Sequence, residues 1–176
     1  MAHLEVIDIP GTEPYRKTLA LQQSLVDEKS AGHSDADTIV LVEHDHVYTV
    51  GRGVPFQQTR RLVGSGKKQT EIEWIEVGRG GQATYHGPGQ LVAYPVFDLN
   101  RHGKDVHVFL RRLELAIIQA LARFSIDGYQ RDGLTGVWAD LPAPGGEPQS
   151  KKIASIGVGV RKWISFNGLA LNVCPN

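Results

Sequence analysis

The sequence predicts an α+β domain in which a mixed, mostly antiparallel sheet is flanked by helices. Short β-rich runs outnumber helical ones, only two segments hold helical spacing, and strands and helices do not alternate regularly. The last observation excludes a doubly wound parallel sheet. A length of 176 residues fits one domain, residues 1–176, large enough to bury a core without disulfide or metal staples.

In chain order, residues 4–9 alternate apolar and acidic side chains as a strand does. Thr12, Glu13 and Pro14 read as a helix start, with Thr12 as the capping hydroxyl and Pro14 supplying a preset φ. Tyr15, Leu19, Gln22, Leu25 and Val26 follow near helical spacing until Gly32. Residues 38–43 and 47–50 are short strands, the second closing at Gly51-Arg52-Gly53. A polar, basic stretch over 60–70 reads as an exposed loop, 71–77 alternates again, and 78–90 is a glycine-dense turn region. Residues 91–97 return to strand character, where Pro95 marks either a bulge or an edge position. Residues 105–124 form the clearest helix, with Val106, Phe109, Leu110, Leu113, Ile117, Leu121 and Phe124 on one face, Asp105 as N-cap and Gly128 beyond its end. After a short strand at 136–139 and a proline-rich loop over 140–150, residues 152–160 and 163–173 read as two strands joined by a tight turn.

Composition narrows the function classes. Lys+Arg and Asp+Glu are 19 each, and without a basic excess a nucleic-acid partner is not expected. One cysteine, Cys174, excludes an intrachain disulfide and suits a reducing, cytoplasmic compartment. The first ten residues carry Glu5 and Asp8 and no long apolar run, unlike a secretory signal. No apolar stretch approaches the ~18 residues of a membrane span. The 20 Gly and 9 Pro exceed their usual combined share of about 12%, a first hint of a site made from main chain.

Several familiar motifs fail. Gly64-Ser65-Gly66-Lys67-Lys68 lacks a phosphate loop's first glycine, since position 61 is Arg61, and Lys68 replaces the required hydroxyl. Gly78-x-Gly80-x-x-Ala83 follows a strand, but residues 84–89 cannot start the helix a dinucleotide fingerprint needs. His44-Asp45-His46 has no third ligand at local spacing and reads as a surface turn, so no metal is expected.

Three segments remain. In Arg79-Gly80-Gly81-Gln82-Ala83-Thr84-Tyr85-His86-Gly87-Pro88-Gly89-Gln90, consecutive glycines let backbone pass close to a ligand and aim N–H groups at it. Arg79 offers an anchor for a carbonyl or anion, Tyr85 and His86 a flat wall with polar tips; the competing reading is a long hairpin connection. In Lys151-Lys152-Ile153-Ala154-Ser155-Ile156-Gly157, Lys152 leads into an apolar strand, where its ammonium would lower a thiol's pKa or stabilise an oxyanion. Alternatively it is a solvated loop lysine. Gly168 and Ala170, flanking Leu169, would let an elongated apolar group lie across their strand, or would pack closely against a neighbouring one.

Together and in this order, the three segments resemble the octanoyltransferase family of lipoate biosynthesis, with Tyr48-Thr49-x-Gly51 resembling its early block. The similarity covers most of the chain. It implies the catalytic fold of biotin and lipoate protein ligases and transfer of an octanoyl group from acyl carrier protein. The acceptor is a lysine on lipoyl domains of 2-oxoacid dehydrogenase complexes or the glycine cleavage H protein. The implied mechanism is ping-pong through a cysteine thioester, with no metal or nucleotide cofactor. By this resemblance Arg79, Gly80, Gly81, Gln82, Ala83, Thr84, Tyr85 and His86, with Ser155, Ile156, Gly157, Gly168, Leu169 and Ala170, line the acyl tunnel. Lys152, the second of the two lysines, lowers the nucleophile's pKa.

The sequence departs from the family at two points. Asn167 stands where many members have histidine, which weakens a base at that position. The family's nucleophile lies in a Pro-Cys-Gly loop after the third segment, whereas this sequence stops at Asn176. Cys174 precedes a proline, comes early in the register, and reads as a small residue at a strand end. A C-terminal segment carrying the thiol is therefore expected beyond Asn176. An ATP-dependent lipoate-protein ligase is the alternative enzyme, against which the His-Gly-Pro-Gly-Gln run argues. A non-catalytic acyl-binding module is the alternative without a nucleophile. Arg60, Arg61, Lys67 and Lys68 either steer an acidic carrier protein or form a solvated loop.

Overall fold

The computed structural model describes residues 3–53, 55–58, 72–143 and 145–175. Among them, ten strands and two long helices follow one another as β1 (Leu4–Glu13), α1 (Tyr15–Ser30), β2 (Asp37–His44), β3 (Val47–Val50), β4 (Glu73–Glu76), β5 (Ala83–His86), β6 (Gln90–Val96), α2 (Val106–Ala122), β7 (Gly128–Tyr129), β8 (Val137–Leu141), β9 (Gln149–Arg161) and β10 (Ile164–Asn172). A seven-stranded sheet runs β1-β2-β6-β10-β9-β8-β7, and a three-stranded sheet runs β4-β3-β5. β1 lies parallel to β2, and the remaining pairs of the large sheet are antiparallel. The expected α+β class with a mixed, mostly antiparallel sheet is the observed one.

The large sheet buries both faces, which fixes its register. On one face Val40, Val42, Val92, Tyr94 and Ala170 meet Tyr15 of α1 and Val47, Ile75 and Val77 of the small sheet. On the other, Val137, Ala139, Ile153 and Ala154 meet Ile117 and Leu121 of α2, and Val158 meets Phe109. Asp105 caps α2 by accepting from the His107 and Val108 N–H groups, a contribution of about 1 kcal/mol. The β9–β10 hairpin closes on Lys162 and Trp163, both at positive φ, the turn that matches strand twist. Among the described residues no helix is long and apolar enough to cross a membrane.

Four local expectations are corrected. Thr12 and Glu13 belong to β1, which resumes its pairing with β2 after an irregularity between Asp8 and Thr12. α1 therefore starts behind Pro14 with no side-chain cap. The 78–90 turn region contains β5, paired antiparallel to β3. β6 is an interior strand, so Pro95 is not at an edge. Its missing N–H is tolerated because β10 pairs with β6 only as far as Ala93, while Ser165 Oγ donates to the Pro95 carbonyl at 2.7 Å. Beyond α2 the left-handed residue is Ser125; Gly128 lies in β7, where a Cβ would sit 3.0 Å from Leu121. The basic stretch at 60–68 lies outside the described residues.

Candidate active site

Beneath the start of α1 the large sheet leaves a slot. It is lined by Tyr15, Arg79, Thr84, His86, Val92, Tyr94, Ser155, Ile156, Gly157, Asn167, Gly168, Leu169 and Ala170. Its volume for the centre of a water-sized sphere is about 20 Å³, little above the 10–15 Å³ that one water needs.

Backbone register builds its floor. Gly157 faces Gly168 and Ser155 faces Ala170 across β9 and β10, so the stripe is short in side chains. Not all that room is open to a ligand. A Cβ at Gly168 would lie 2.1 Å from the Ala93 carbonyl oxygen, so this glycine serves the approach of β6. A Cβ at Gly157 would lie 3.2 Å from Arg79 Cδ. Asn167 interrupts β10 with a φ of 56°, a conformation asparagine tolerates better than most residues. The turn lets its N–H donate to Gln22 Oε1 at 2.8 Å, while its Oδ1 accepts from the Tyr15 hydroxyl at 3.0 Å.

Most polar groups of the wall are already satisfied, though the buried Asn167 Nδ2 has no hydrogen-bond partner among the described residues. Arg79 is 7% exposed; its Nη2 donates to the Thr49 carbonyl, Thr49 Oγ1 and Thr84 Oγ1, each at 2.9 Å, and its Nη1 donates to the Gly80 carbonyl at 2.9 Å. Burial lowers its pKa, opposed by the Tyr15 and Tyr94 hydroxyls. Its donors hold β3 to the 79–84 segment. His86 is held by Gln90 Oε1, 2.7 Å from Nδ1, and burial pushes its pKa down to about 4. The ring is neutral at pH 7, with Nδ1 as its donor. Gln90 in turn donates to Asn172 Oδ1 at 2.9 Å, tying β6 to β10. Burial raises the Tyr15 hydroxyl to about 12. The wall is therefore uncharged except for one internally bonded guanidinium.

Of the tunnel residues expected from sequence, Arg79, Thr84, His86, Ser155, Ile156, Gly157, Gly168, Leu169 and Ala170 line the slot. Gly80, Gly81, Gln82, Ala83 and Tyr85 do not, because that segment's backbone is tied to its neighbours. The Gly80 N–H donates to the Val158 carbonyl at 3.0 Å, and the Gln82 and Gly81 carbonyls accept from Gly51 and Gly53. Tyr85 alternates with Thr84 and His86 and points to the far side of the small sheet, 5.3 Å from Tyr48 between ring centres. His44 is no surface turn: it is fully buried and bonded to Tyr94 at 2.7 Å and to the Glu13 carbonyl. Cys174 is exposed, and its N–H donates to the Gly89 carbonyl at 2.9 Å.

Lys152 does not touch the slot, but a bulge turns it to the slot's face. Val137 pairs with Ala154 and Trp138 with Lys152, leaving Ile153 as an extra residue in β9. Ile153 and Ala154 both pack toward α2 with Val137 and Ala139, so Lys152 and Trp138 face the other way, as Ser155 does. The ammonium lies 5.2 Å from the Trp138 ring centre. Burial lowers its pKa while Glu114 raises it.

Sequence reading missed Tyr15, Val92 and Tyr94 in the lining. The alternation through 91–97 marks Val92 and Tyr94 as one face, but nothing local says which face meets a void. It also missed Glu114, Gly136 and Trp138 around Lys152.

The sequence profile of the family described as the lipoyl protein ligase A/B catalytic domain matches residues 14–176. An octanoyltransferase of Cereibacter sphaeroides is 43% identical over 180 residues, an alignment that takes in 100% of this chain and 79% of that protein. An octanoyltransferase of a Synechococcus species is 38% identical over 179 residues, 97% of this chain and 65% of its own length. Among solved structures, a bipartite lipoate protein ligase from Thermoplasma acidophilum superposes with a TM-score of 0.62 at 20% identity, covering 99% of this chain and 62% of the other. A Plasmodium falciparum protein in complex with lipoate gives 0.68 at 11% identity, covering 100% and 49%. At such identities the structural likeness is one of fold.

Proposed function

The chain belongs to the lipoyl protein ligase A/B catalytic-domain family, on its octanoyltransferase side, and we propose that it moves an octanoyl group from acyl carrier protein to a lipoyl-domain lysine through a cysteine thioester. One observation carries the reading: a narrow slot, whose one charged group, Arg79, is tied back to its own wall, opens on the same sheet face as a lysine held over an indole.

The slot holds the acyl tail along Ser155, Ile156 and Ala170, and Lys152 supplies the positive charge at the reacting end. A cysteine thiolate attacks the thioester carbonyl of the carrier-bound octanoyl group, and the carrier's sulfur leaves as a thiolate and takes up a proton. The acceptor's neutral ε-amine then attacks the enzyme thioester, loses a proton as the amide forms, and releases the thiolate again. The nearby ammonium favours the thiolate in both steps. We assign the thiol to a segment following Asn176, not to Cys174. The partners are acyl carrier protein and the lipoyl domains of 2-oxoacid dehydrogenase complexes and the H protein. The reaction uses no metal or nucleotide, and the compartment is the cytoplasm.

The experiment is intact mass of the full-length protein after incubation with octanoyl-carrier protein. A single octanoyl adduct, lost on adding lipoyl domain, is the expected result. Transfer that requires ATP and free octanoate would instead establish the ligase, and no adduct under either condition would establish an acyl-binding module.

A further inference from the structure

We propose that Glu114, acting through Gly136, is a positioning residue for the Lys152 ammonium. The inference rests on the role given to Lys152 above and adds the residues that hold it in place.

Glu114 occupies a core-facing position of α2, in the spacing set by Leu110, Ile117 and Leu121, and it is fully buried. A residue needed only to fill that position would be apolar. Both carboxylate oxygens are engaged: Oε2 accepts from Arg111 Nη1 and from Gln130 Nε2, each at 2.7 Å, and Oε1 accepts from the Gly136 N–H at 2.8 Å. Gly136, with a φ of 136°, presents its bare α-carbon to Lys152. A Cβ there would lie 2.4 Å from Lys152 Cε and 3.1 Å from its Nζ. The backbone at 136 is thus a notch that receives the end of the lysine on one side and is pinned by a buried anion on the other.

The notch needs that anion. It desolvates the ammonium, and Arg131 stands 5.5 Å from the ring centre of the same Trp138, so two cations crowd one indole. The elements that pack about Lys152 carry Glu114 and Arg111 on α2, Arg131 after β7, Asp140 on β8 and Lys151 beside it on β9. Asp140 accepts from the Tyr129 hydroxyl at 2.7 Å, and Arg131 donates to Ser150 Oγ. Glu114 is the negative charge that raises the Lys152 pKa against the lowering by burial.

The test is the titration of Lys152 followed by NMR in protein with labelled lysine, with K152A assigning the signal. In Glu114→Gln the Lys152 midpoint moves down, Glu114→Asp retains most of the wild-type value, and Arg111→Gln, on the exposed flank, moves it up. Full-length Glu114→Gln also takes up octanoyl more slowly, with a lower kcat and an unchanged KM for the carrier. An unmoved Lys152 midpoint in folded Glu114→Gln overturns the proposal. Where that variant does not fold, an unmoved midpoint in Arg111→Gln does so. Failure of the functional reading looks different: K152A would then leave octanoyl uptake intact while the Lys152 titration still responded to Glu114.

Discussion

The slot wall and the Lys152 corner lie on the same face of one sheet and obey opposite rules. Along the wall the groups that can carry charge are neutralised or tied back: Arg79 bonds to Thr49, Thr84 and Gly80, and His86 is kept neutral by burial. At the corner a charge is kept available, over an indole and beside a notch. A site that must grip a featureless chain and also stabilise a developing anion gains by separating the two tasks. Charge near the tail would cost desolvation, and grease around the cation would discharge it.

Four experiments test that division. The largest effect is expected from Lys152→Ala, which should slow thioester formation by roughly a thousandfold while leaving the melting temperature within a few degrees; a rate close to wild type would erase the distinction between corner and wall. Acid is the second probe. His86 has a folded-state pKa near 4 against about 6.5 unfolded, so its contribution is complete above pH 6.5 and disappears as pH falls toward 4. The loss should be about 3 kcal/mol in denaturant titrations, and a His86→Gln variant should show a flatter profile over that window. Third, Ala170→Leu should narrow the slot at a cost of about 2 kcal/mol in stability and move acyl preference toward shorter chains, read from competition between carrier-bound acyl groups. The smallest effect is Thr84→Val, which removes one of the Arg79 acceptors and should cost about 1 kcal/mol with little change in the pH dependence of turnover.

Much of the fold is written locally. The α2 stripe from Val106 to Leu121, the Asp105 cap and the paired strands flanking Lys162 and Trp163 all follow from spacing or turn chemistry, and the structure has them. The errors come where one segment is decided by another. β1 runs on through Thr12 because β2 continues to offer it partners. Pro95 sits in an interior strand because β10 has already turned aside at Asn167. The same holds for the site. The motif around Arg79 is legible as a motif, yet half of it faces away from the slot, since its glycines serve contacts with residues 51 and 53. Tyr15 and Tyr94 join the lining through packing between distant segments, which no local pattern encodes. Glu114 falls by spacing on the core face of α2, but the N–H of Gly136 that it accepts from is brought to it only by the fold.

The extra residue in β9 makes the placement of the Lys152 charge a matter of odd and even counting. Were Ile153 paired in a regular ladder instead, alternation would carry the amine of Lys152 into the hydrocarbon layer under α2, whereas deleting Ile153 would remove the bulge and leave Lys152 opposite Trp138 on its present face.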